Sequence, residues 1–523
     1  MPNYIAYDHR QNVLISLNFE DQLQLGTFEY ALHYLIEHKL DLSIFAPRYK
    51  NEKNGRPAYN PAILLKVILF AYSKGITSSR EIQWCCKHNL IFKALSCDSE
   101  PHYTTIADFI SRKPSDIEVL FEQVLLICSE EGLLGNELFA IDGCKMRSDA
   151  AKTWSGTFKE LAAKRDKLKR MIHYQMEQHQ QLDKQEDDSG QFKEQRITQT
   201  IETLNKAHDK IDHFLNHNEP REGKGKRKIE VKSNITDNES AKMTTSKGTI
   251  QGFNGVASVD KKHQIIIDAQ AFGAGQEHHV LQPVLKKIQD RYKRLGISDN
   301  LYQSGTIVTA DTGYANEANM QYLHENNIDA YIPDNQFRSR DPKFIDQKKK
   351  YGKRHKNEKR KTPKTYLASD FIFDIENKTC ICPKGNVMWL KSEGKDKPGN
   401  DKLFFEGKVT DCRHCDKKIQ CMRNPASAES ADGLGRQVSF IIKERSSEPN
   451  FTDWMKARVD SEKGKQIYSH RMSVVEPVFA NMGSNKGLNR FTLRGQKKVQ
   501  GQWQLYCLVH NIEKLQNYGQ LAH

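Results

Sequence analysis

The sequence lacks the features of membrane and secreted proteins. It contains no uninterrupted apolar run of about 18 residues, the length that predicts a membrane-spanning helix. Its first residues also lack the charged start and the following apolar stretch of a secretory signal peptide. These absences argue against the membrane and secretory classes, and we expect a soluble protein of the cytoplasm.

Acidic residues are scarce relative to basic ones. The chain has 66 Asp and Glu against 80 Lys and Arg, which gives a formal net charge of +14. Such an excess favours polyanionic partners, and DNA bound in a salt-dependent way is the obvious one, although basic enzymes without nucleic-acid partners exist. At 523 residues the chain exceeds one usual domain, so about two to four domains are expected.

Three carboxylates stand in short segments that are far apart in the chain. Asp142 directly follows an apolar run, residues 138–141, that is typical of a strand buried on both faces. Asp311 follows a β-branched run, residues 306–309, and should lie at the end of a second strand. Glu476 precedes Pro477, which is tolerated in a first helical turn, so we place Glu476 near the start of a helix.

A metal site is the simplest reason for these acids. A buried carboxylate is costly unless it is paired, hydrogen-bonded or coordinated, and Gly143 leaves room for a ligand beside Asp142. Three acids from two strands and a helix can hold two divalent cations about 3.5 to 4 Å apart, as phosphodiester chemistry requires. Hard oxygen ligands favour magnesium. The alternative is that these acids are helix caps or ion-pair partners, since the chain has 66 acidic residues.

The order of the predicted elements favours the metal site. After the Asp142 strand, residues 252–259 and 264–269 predict a hairpin, and the stretch from 277 to 288 has the apolar spacing of a helix. The Asp311 strand, a helix and a strand at 330–332 follow. The predicted order is three strands, a helix, a strand, a helix, a strand and a final helix. This is the element order of an α/β, ribonuclease H-like fold, whose mixed sheet carries the first acid on the central strand.

The chain resembles the DDE transposases of bacterial insertion sequences over nearly its whole length. The marks are Ala140–Gly143, Ala310–Tyr314, and Tyr468–Arg471 leading to Val475–Phe479. The resemblance implies that Asp142, Asp311 and Glu476 are catalytic and hold Mg²⁺ or Mn²⁺.

The same resemblance implies a set of DNA contacts around the glutamate. In the branch that the chain looks like, a tyrosine and an arginine precede the glutamate and a lysine follows it, the YREK signature. Tyr468 and Arg471 match and would contact phosphate. Relatives commonly have the lysine where this chain has Gly483, and Lys486 lies three residues farther on.

The activity that the resemblance implies is DNA transposition. The protein would bind the terminal inverted repeats of an insertion sequence, nick them, cut the opposite strand through a hairpin or related intermediate, and join the 3′ hydroxyl to target DNA. A homodimer on double-stranded DNA and association with the bacterial nucleoid are implied with it. Two alternatives are a catalytically silent DNA-binding regulator and a ribonuclease H-like nuclease without strand joining.

Asp149, seven residues after Asp142, is the second choice for the acid at that position.

Residues 1–135 predict a helical N-terminal domain. Pro61 opens a helix that ends at Gly75, and Ser78–Glu81 and Thr105–Asp108 read as capping boxes of two further helices. A helix-turn-helix-like DNA reader and a plain helical bundle fit this pattern nearly equally. The resemblance favours a domain that grips element ends, and the candidate DNA contacts are Arg80, Arg112 and Lys113.

The rest of the chain divides into insertions and the end of the catalytic core. Residues 136–150 and 250–335 are expected to form the first part of the core, and residues 456–523 its final part. Trp503 in this final part is expected to pack a closing helix onto the sheet, and the alternative is that it stacks a displaced base. Residues 151–235 predict a coiled-coil-like helical hairpin, for dimerisation, for DNA contact or only as a solvated spacer. Residues 336–455 form a basic and cysteine-rich insertion. The tracts 221–232 and 343–364 are basic, and phosphate contact is expected there.

Five of the eleven cysteines are clustered between residues 380 and 421, and the other six are read as reduced core thiols. Close cysteine pairs about 30 residues apart are typical of a zinc ribbon, because tetrahedral zinc takes four soft ligands. The alternative is a metal-free hairpin. The better set is Cys382, Cys412, Cys415 and Cys421, with Cys380 as an alternative ligand, and the zinc would be structural.

Overall fold

A computed structural model describes residues 18–521 apart from 50–56, 113, 183–189, 224–227, 246–247, 343–364, 396–400, 431 and 443–449. The chain divides into two compact units, one of Met1–Phe337 with Phe451–His523 and one of Arg338–Asn450. Lys113 and the basic tract at 343–364 lie outside the described residues. In the part of the chain that is described, no helix is long and apolar enough to cross a membrane.

The N-terminal part of the larger unit is helical, as the sequence predicts. Its helices are α1 (Phe28–Tyr34), α2 (Pro61–Ser73), α3 (Ser79–His88), α4 (Leu90–Ser96), α5 (Tyr103–Ser111) and α6 (Pro114–Glu130). Asn60 caps α2 by accepting a hydrogen bond from the backbone of Ala62, and Pro61 occupies the first helical position, where no donor is lost. Gly75 follows the helix with φ +78°.

Both predicted capping boxes are wrong. Ser78 precedes α3, but its side chain makes no capping hydrogen bond. Helix α5 begins at Tyr103, two residues before the predicted cap, because the ring of His102 accepts the bond from the backbone of Thr104 instead. A histidine nitrogen can satisfy a free helix N–H as a hydroxyl does, and a search for Ser and Thr alone misses it.

A mixed sheet forms the centre of the larger unit, so the predicted α/β class is confirmed. Its strands are β1 (Leu138–Arg147), β6 (Ala241–Thr245), β7 (Gly248–Asp260), β8 (Ile266–Phe272), β9 (Ile307–Ala310) and β10 (Ala330–Tyr331), and short pairs β2 (Ser155–Gly156), β3 (Arg221–Glu222), β4 (Glu230–Val231) and β5 (Ser233–Asn234) lie outside it. The order runs β10, β9, β1, β7, and β7 pairs with both β6 and β8. Strand β1 is parallel to β9 and antiparallel to β7, so the strand that carries Asp142 is central.

The long strand β7 and its partner β8 confirm the predicted hairpin. Helices α9 (Leu281–Arg294), α10 (Glu317–Glu325), α11 (Phe337–Arg340), α14 (Phe451–Asp460), α15 (Glu462–Ala480) and α16 (Gln496–Tyr518) accompany the sheet. Trp503 of α16 is completely buried, and its indole donates to the carbonyl of Val256 at 3.0 Å. Its ring would lie 3.1 Å from a Cβ at Gly255, so only glycine leaves room for it. Core packing of Trp503, rather than base stacking, is therefore confirmed.

Side chains of α16 cover the outer edge of β8. The amide of Asn511 both accepts from and donates to the backbone of Ile266, at 2.8 Å each. Gln500 accepts from the backbone of Ala271 and donates to that of Ala269, both at 2.7 Å. Gln496 donates to the carbonyl of Ala271 at 3.0 Å. These amides supply the hydrogen bonds that a further strand would otherwise make.

A helical hairpin lies between β2 and β3 in the chain, as predicted. Helices α7 (Phe158–Leu182) and α8 (Gly190–His217) run antiparallel, since Arg165 pairs with Asp212 at 3.0 Å near the base and His179 contacts Thr198 at 3.3 Å farther out. Leu161 of α7 packs with Ile211 and Phe214 of α8 in a small buried core. Coiled-coil packing along its whole length stays a prediction.

The smaller unit is built on an antiparallel sheet in simple sequence order. Its strands are β11 (Ile372–Asp374), β12 (Thr379–Ile381), β13 (Val387–Lys395), β14 (Asp401–Glu406) and β15 (Gln437–Ile442), with short helices α12 (Val409–Arg413) and α13 (Lys418–Cys421). Phe371, Met388, Leu403 and Phe405 form its buried core together with Cys380.

A buried ion cluster joins α9 to α6 and β8. The guanidinium of Arg291 is completely buried and pairs with Asp268, which is 1% exposed, and with Glu122 at 3.3 Å. Glu122 also pairs with Arg294, whose side chain is 55% exposed. A buried charge that loses its partner is left without compensation, so the two arginines should differ greatly in their effect on stability.

We expect Arg291→Leu to lower the free energy of unfolding by about 3–5 kcal/mol, because Asp268 stays buried without its cation. Arg294→Leu, on the same helix and with Glu122 as a shared partner, should cost at most about 1 kcal/mol. Urea denaturation followed by circular dichroism measures both. Equal midpoints for the two variants would contradict this account of the cluster.

Candidate active site at the ends of the central strands

Asp142 and Asp311 lie side by side because β1 and β9 run parallel. Ile141 pairs with Ala310 in the ladder, so Asp142, which lies inside β1, and Asp311, which directly follows β9, stand at the same level of the sheet. Asp142 accepts a hydrogen bond from the backbone of Gly143 at 2.8 Å, and Asp311 accepts one from Thr312 at 2.6 Å. Burial raises the pKa of Asp142, and the charge of Asp311 adds to that effect.

The guanidinium of Arg471 spans the two aspartates. It lies 2.8 Å from Asp142 and 3.7 Å from Asp311, and the Arg471 side chain is only 9% exposed. Burial alone would lower the pKa of Arg471, but the carboxylate of Asp142 and the Tyr468 side chain together outweigh burial, and the pKa is raised. The Tyr468 ring lies 5.9 Å from the guanidinium carbon on the same helix. The two carboxylates therefore converge on one cationic group.

Glu277 also belongs to this cluster, and the sequence analysis missed it. Its carboxylate accepts a hydrogen bond from the Asn254 side chain at 3.0 Å. Burial raises the pKa of Glu277, and the charges of Asp142 and Asp311 raise it further. Its position between α9 and the strands makes it a third acid within electrostatic reach of both aspartates.

Two glycines make the space for Glu277. A Cβ at Gly143 would lie 2.9 Å from the Glu277 carboxylate, and one at Gly313 would overlap its other oxygen. Each glycine follows one of the aspartates closely in the chain, Gly143 by one residue and Gly313 by two. This repeated Asp and Gly pairing was the signal in the sequence that a further side chain enters between the two strand ends.

Glu476 lies on the same helix as Arg471, near its C-terminal end and not near its start as predicted. Helix α15 continues through Pro477 to Ala480. Pro477 has no N–H for the carbonyl of Ser473, four residues earlier, and the Gln264 side chain donates to that carbonyl at 3.0 Å instead. An interior proline is tolerated here because the bond it removes is replaced from the sheet.

The side chain of Glu476 is exposed and makes no hydrogen bond or ion pair with any of the described residues. It follows Arg471 by five residues, which is about 140° around an α-helix. The structure thus brings Asp142, Asp311 and Arg471 into direct contact, and Glu476 stands apart from these contacts.

The other residues predicted to act in the larger unit have varied surroundings. Arg80 is exposed and lies over the Tyr103 ring at 4.8 Å, and Arg112 is exposed and pairs with Asp108 at 2.6 Å. Lys486 is 9% exposed and pairs with Glu513 of α16 at 2.8 Å, so its ammonium group faces the protein. Asp149, the second-choice acid, pairs with Arg490 at 3.0 Å and with Arg494 at 2.9 Å.

The predicted zinc ligands line one small cavity of the smaller unit, about 40 Å³ in volume: Cys382, Cys412, Cys415 and Cys421. The sulfur of Cys382 accepts from the backbone of Asn386 at 3.3 Å, and that of Cys412 accepts from Arg436 at 3.4 Å. Burial raises the pKa of Cys421 to about 11. Cys380 instead packs in the hydrophobic core, 3.8 Å from the sulfur of Met388, and does not line this cavity.

Neither cluster meets the spacing of a formed metal site. In the described ranges, no three His, Cys, Asp or Glu side chains stand close enough together to hold a metal ion. The donor chemistry nevertheless fits both metals. The carboxylate oxygens of Asp142 and Asp311 suit magnesium, and the four thiols around the cavity suit zinc.

Comparison with known families gives two matches to the chain. A family model described as a transposase DDE domain matches residues 381–516, which include α15 with Arg471 and Glu476. A second model, described as a transposase domain, matches residues 17–112 among the N-terminal helices. No curated protein matches the chain.

The raised pKa of Glu277 predicts a pH-dependent effect of Glu277→Gln on the protein without divalent ions. A folded-state pKa above the unfolded value means that wild-type stability falls as the pH rises through the folded-state pKa. Glutamine does not titrate and still accepts from Asn254. The variant should therefore unfold at a higher temperature than wild type near pH 8, and the difference should shrink in acid.

Calorimetry between about pH 4 and pH 8 in the presence of a chelator measures this effect. Glu462→Gln is the control, because Glu462 is exposed at the start of α15. A difference that grew on acidification would contradict the burial of an ionised Glu277.

Proposed function

This chain belongs to the DDE transposases of insertion-sequence type, and we propose that it binds the ends of an insertion sequence, cleaves them and joins the 3′ hydroxyl to target DNA. The observation that carries the proposal is the convergence of Asp142 and Asp311 from parallel strands onto one cationic group. The strand order around β1 supports a ribonuclease H-like core, since an antiparallel hairpin lies on one side of β1 and parallel strands on the other.

The proposed catalytic acids are Asp142, Asp311 and Glu476. Bound Mg²⁺ or Mn²⁺ would polarise the scissile phosphate and lower the pKa of a water molecule. The contribution of the chain is to hold carboxylate oxygens at fixed positions on neighbouring strands. Asp142 is held by the Gly143 backbone and Asp311 by the Thr312 backbone, so neither carboxylate can turn freely. Glu277 is a neighbouring acid that can complete the ligand set from the opposite side.

Arg471 and Tyr468 are proposed to bind phosphate beside these acids. Arg471 already pairs with both aspartates, and its guanidinium would become available to a DNA phosphate if these carboxylates held a metal ion instead. Tyr468 lies near Arg471 on the same helix and is half-buried. Its ring packs against that of Phe337, with 5.4 Å between the ring centres. Both side chains would then fix the DNA backbone at the edge of the acid cluster.

The DNA partner is proposed to extend over the N-terminal helices. Arg80 and Arg112 are exposed there, and Lys113 and the tracts at 221–232 and 343–364 add cations to a chain of net charge +14. Double-stranded terminal repeats, target DNA and a homodimer in the DNA complex belong to the same proposal, as does a place at the bacterial nucleoid. The buried pairing of Lys486 with Glu513 favours a packing role for that lysine.

We expect Asp311→Asn and Glu476→Gln each to lower nicking of terminal-repeat DNA with magnesium by about 10²-fold or more, because each removes charge where the transition state needs it. Glu462→Gln, on the same helix as Glu476, is the matched control and should retain wild-type activity. Nicking is read on a sequencing gel, and joining as linkage of labelled ends to a plasmid. Full strand transfer by Asp311→Asn would overturn the assignment.

The same assay separates the two alternative functions. A DNA-binding regulator would bind the ends without nicking them, and a nuclease would nick them without joining. The change in thermal unfolding on addition of Mn²⁺ then identifies the third ligand independently of activity. Loss of this shift in Glu476→Gln supports the proposed triad, and loss only in Glu277→Gln assigns the role to Glu277.

We propose further that Cys382, Cys412, Cys415 and Cys421 hold a structural zinc ion. Four thiols line one cavity and two of them accept backbone hydrogen bonds, which is how thiolate charge is usually compensated around zinc. The position of Cys380 in the hydrophobic core favours this set over the one that includes Cys380.

About one zinc ion per chain is expected in the protein purified without added metal, measured by plasma mass spectrometry. Cys415→Ser should lose it, because three thiols hold zinc far more weakly than four. Cys380→Ala and the exposed Cys97→Ser should retain it. Zinc retained in Cys415→Ser but lost in Cys380→Ala would make Cys380 the ligand instead.

A further inference from the structure

A groove of about 620 Å³ opens where β1 ends, beyond the acid cluster. Strand β1 continues from Asp142 to Arg147, and the chain then turns through residues 148–151 to the base of the helical hairpin. Five cationic side chains and one carboxylate line the groove: Arg147, Lys152, Lys210, Arg490, Arg494 and Asp149. This concentration of positive charge belongs neither to the acid cluster nor to the N-terminal helices.

Three cations of the groove, Arg490, Arg494 and Lys210, are held in place but remain available to a ligand. Asp149 holds Arg490 and Arg494 on either side of it, while their side chains are 58% and 55% exposed. A guanidinium has five N–H donors, so each arginine retains donors beyond those directed at Asp149. Lys210 is kept in place by Thr236 at 3.2 Å and lies 5.6 Å from the Trp154 ring. Fixed, half-exposed cations lose little entropy when they bind an anion.

The groove lies at a defined distance from the acid cluster, because one strand joins them. Arg147 follows Asp142 by five residues, which is roughly 17 Å along an extended strand. Successive phosphates of one DNA strand advance by about 3.4 Å along the helix axis, so a duplex whose axis runs parallel to β1 would cover this length in about five nucleotides.

We propose that this groove binds the sugar-phosphate backbone of the cleaved DNA about five nucleotides from the scissile phosphate. The inference rests on the proposed function and adds a second phosphate site to it. Hydroxyl donors of Ser148, Thr236 and Thr249 also line the groove, and together with arginine and lysine they suit phosphate oxygens rather than base edges. The contact is therefore independent of sequence and fixes the register of the DNA relative to Asp142.

The salt dependence of binding tests the contact. Wild type and Lys152→Gln/Lys210→Gln are titrated with a fluorescent mixed-sequence duplex at several salt concentrations in a chelator, so that cleavage does not interfere. Each lost phosphate contact lowers the slope of log K against log salt by about 0.9, so the double variant should be about two units shallower. Lys286→Gln/Lys293→Gln, with the same change in charge on exposed positions of α9, is the control and should keep the wild-type slope.

A second measurement tests the distance. Neutral methylphosphonates are placed one at a time along a duplex that ends at the element terminus. Substitution about five nucleotides from the cleaved end should weaken binding by wild type but not by Lys152→Gln/Lys210→Gln. Equal losses in both proteins at every position would overturn the register.

The outcomes separate this inference from the proposed function. If wild type binds and nicks DNA, and Lys152→Gln/Lys210→Gln has the same slope of log K against log salt as wild type, the groove is not a phosphate site and the proposed function still holds. Wild type that binds DNA with a groove-dependent slope but never nicks it would support the groove and overturn the catalytic proposal.

Discussion

The contact of Arg471 with Asp142 and Asp311 ties the acid cluster to the fold. Two aspartates on neighbouring parallel strands repel each other, and burial makes the charge of Asp142 more costly still. One guanidinium from α15 compensates both. Helix α15, which also carries Glu476, must therefore pass beside Asp142 in β1 and Asp311 after β9.

Other contacts hold α15 and its neighbours in place around this point. The Gln264 side chain accommodates Pro477 in α15, and Trp503 fills the space above Gly255 on the sheet. The buried Arg291 joins α9, which follows Glu277, to the N-terminal helix α6. The acid cluster is thus supported from the sheet and from two sets of helices, which is the support that a precise catalytic geometry requires.

Sequence reasoning predicted the sheet and the pairing of Asp142 with Asp311 because both depend on local patterns. An apolar run followed by an acid marks a buried strand, and two parallel neighbouring strands bring their acids to the same level of the sheet. Only Asp311 lies at a strand end, because β1 continues past Asp142 to Arg147. Glu277 was missed because its partners are distant in the chain and only the spaces at Gly143 and Gly313 reveal it. The start of the Glu476 helix was misplaced because the rule for proline assumes that a lost hydrogen bond is not replaced, and here Gln264 replaces it. The cap by His102 was missed for a similar reason, since the residue type is uncommon in that role.

The amide side chains along β8 limit how copies of this chain can associate. A bare sheet edge is a template on which a strand from another molecule can add. Asn511, Gln500 and Gln496 already occupy the backbone groups of Ile266, Ala269 and Ala271, so this edge offers little for such strand addition. A contact between two copies at this edge would therefore form through side chains and not by the addition of a strand to β8. Such a junction can form and separate without disturbing the strands that carry the acids.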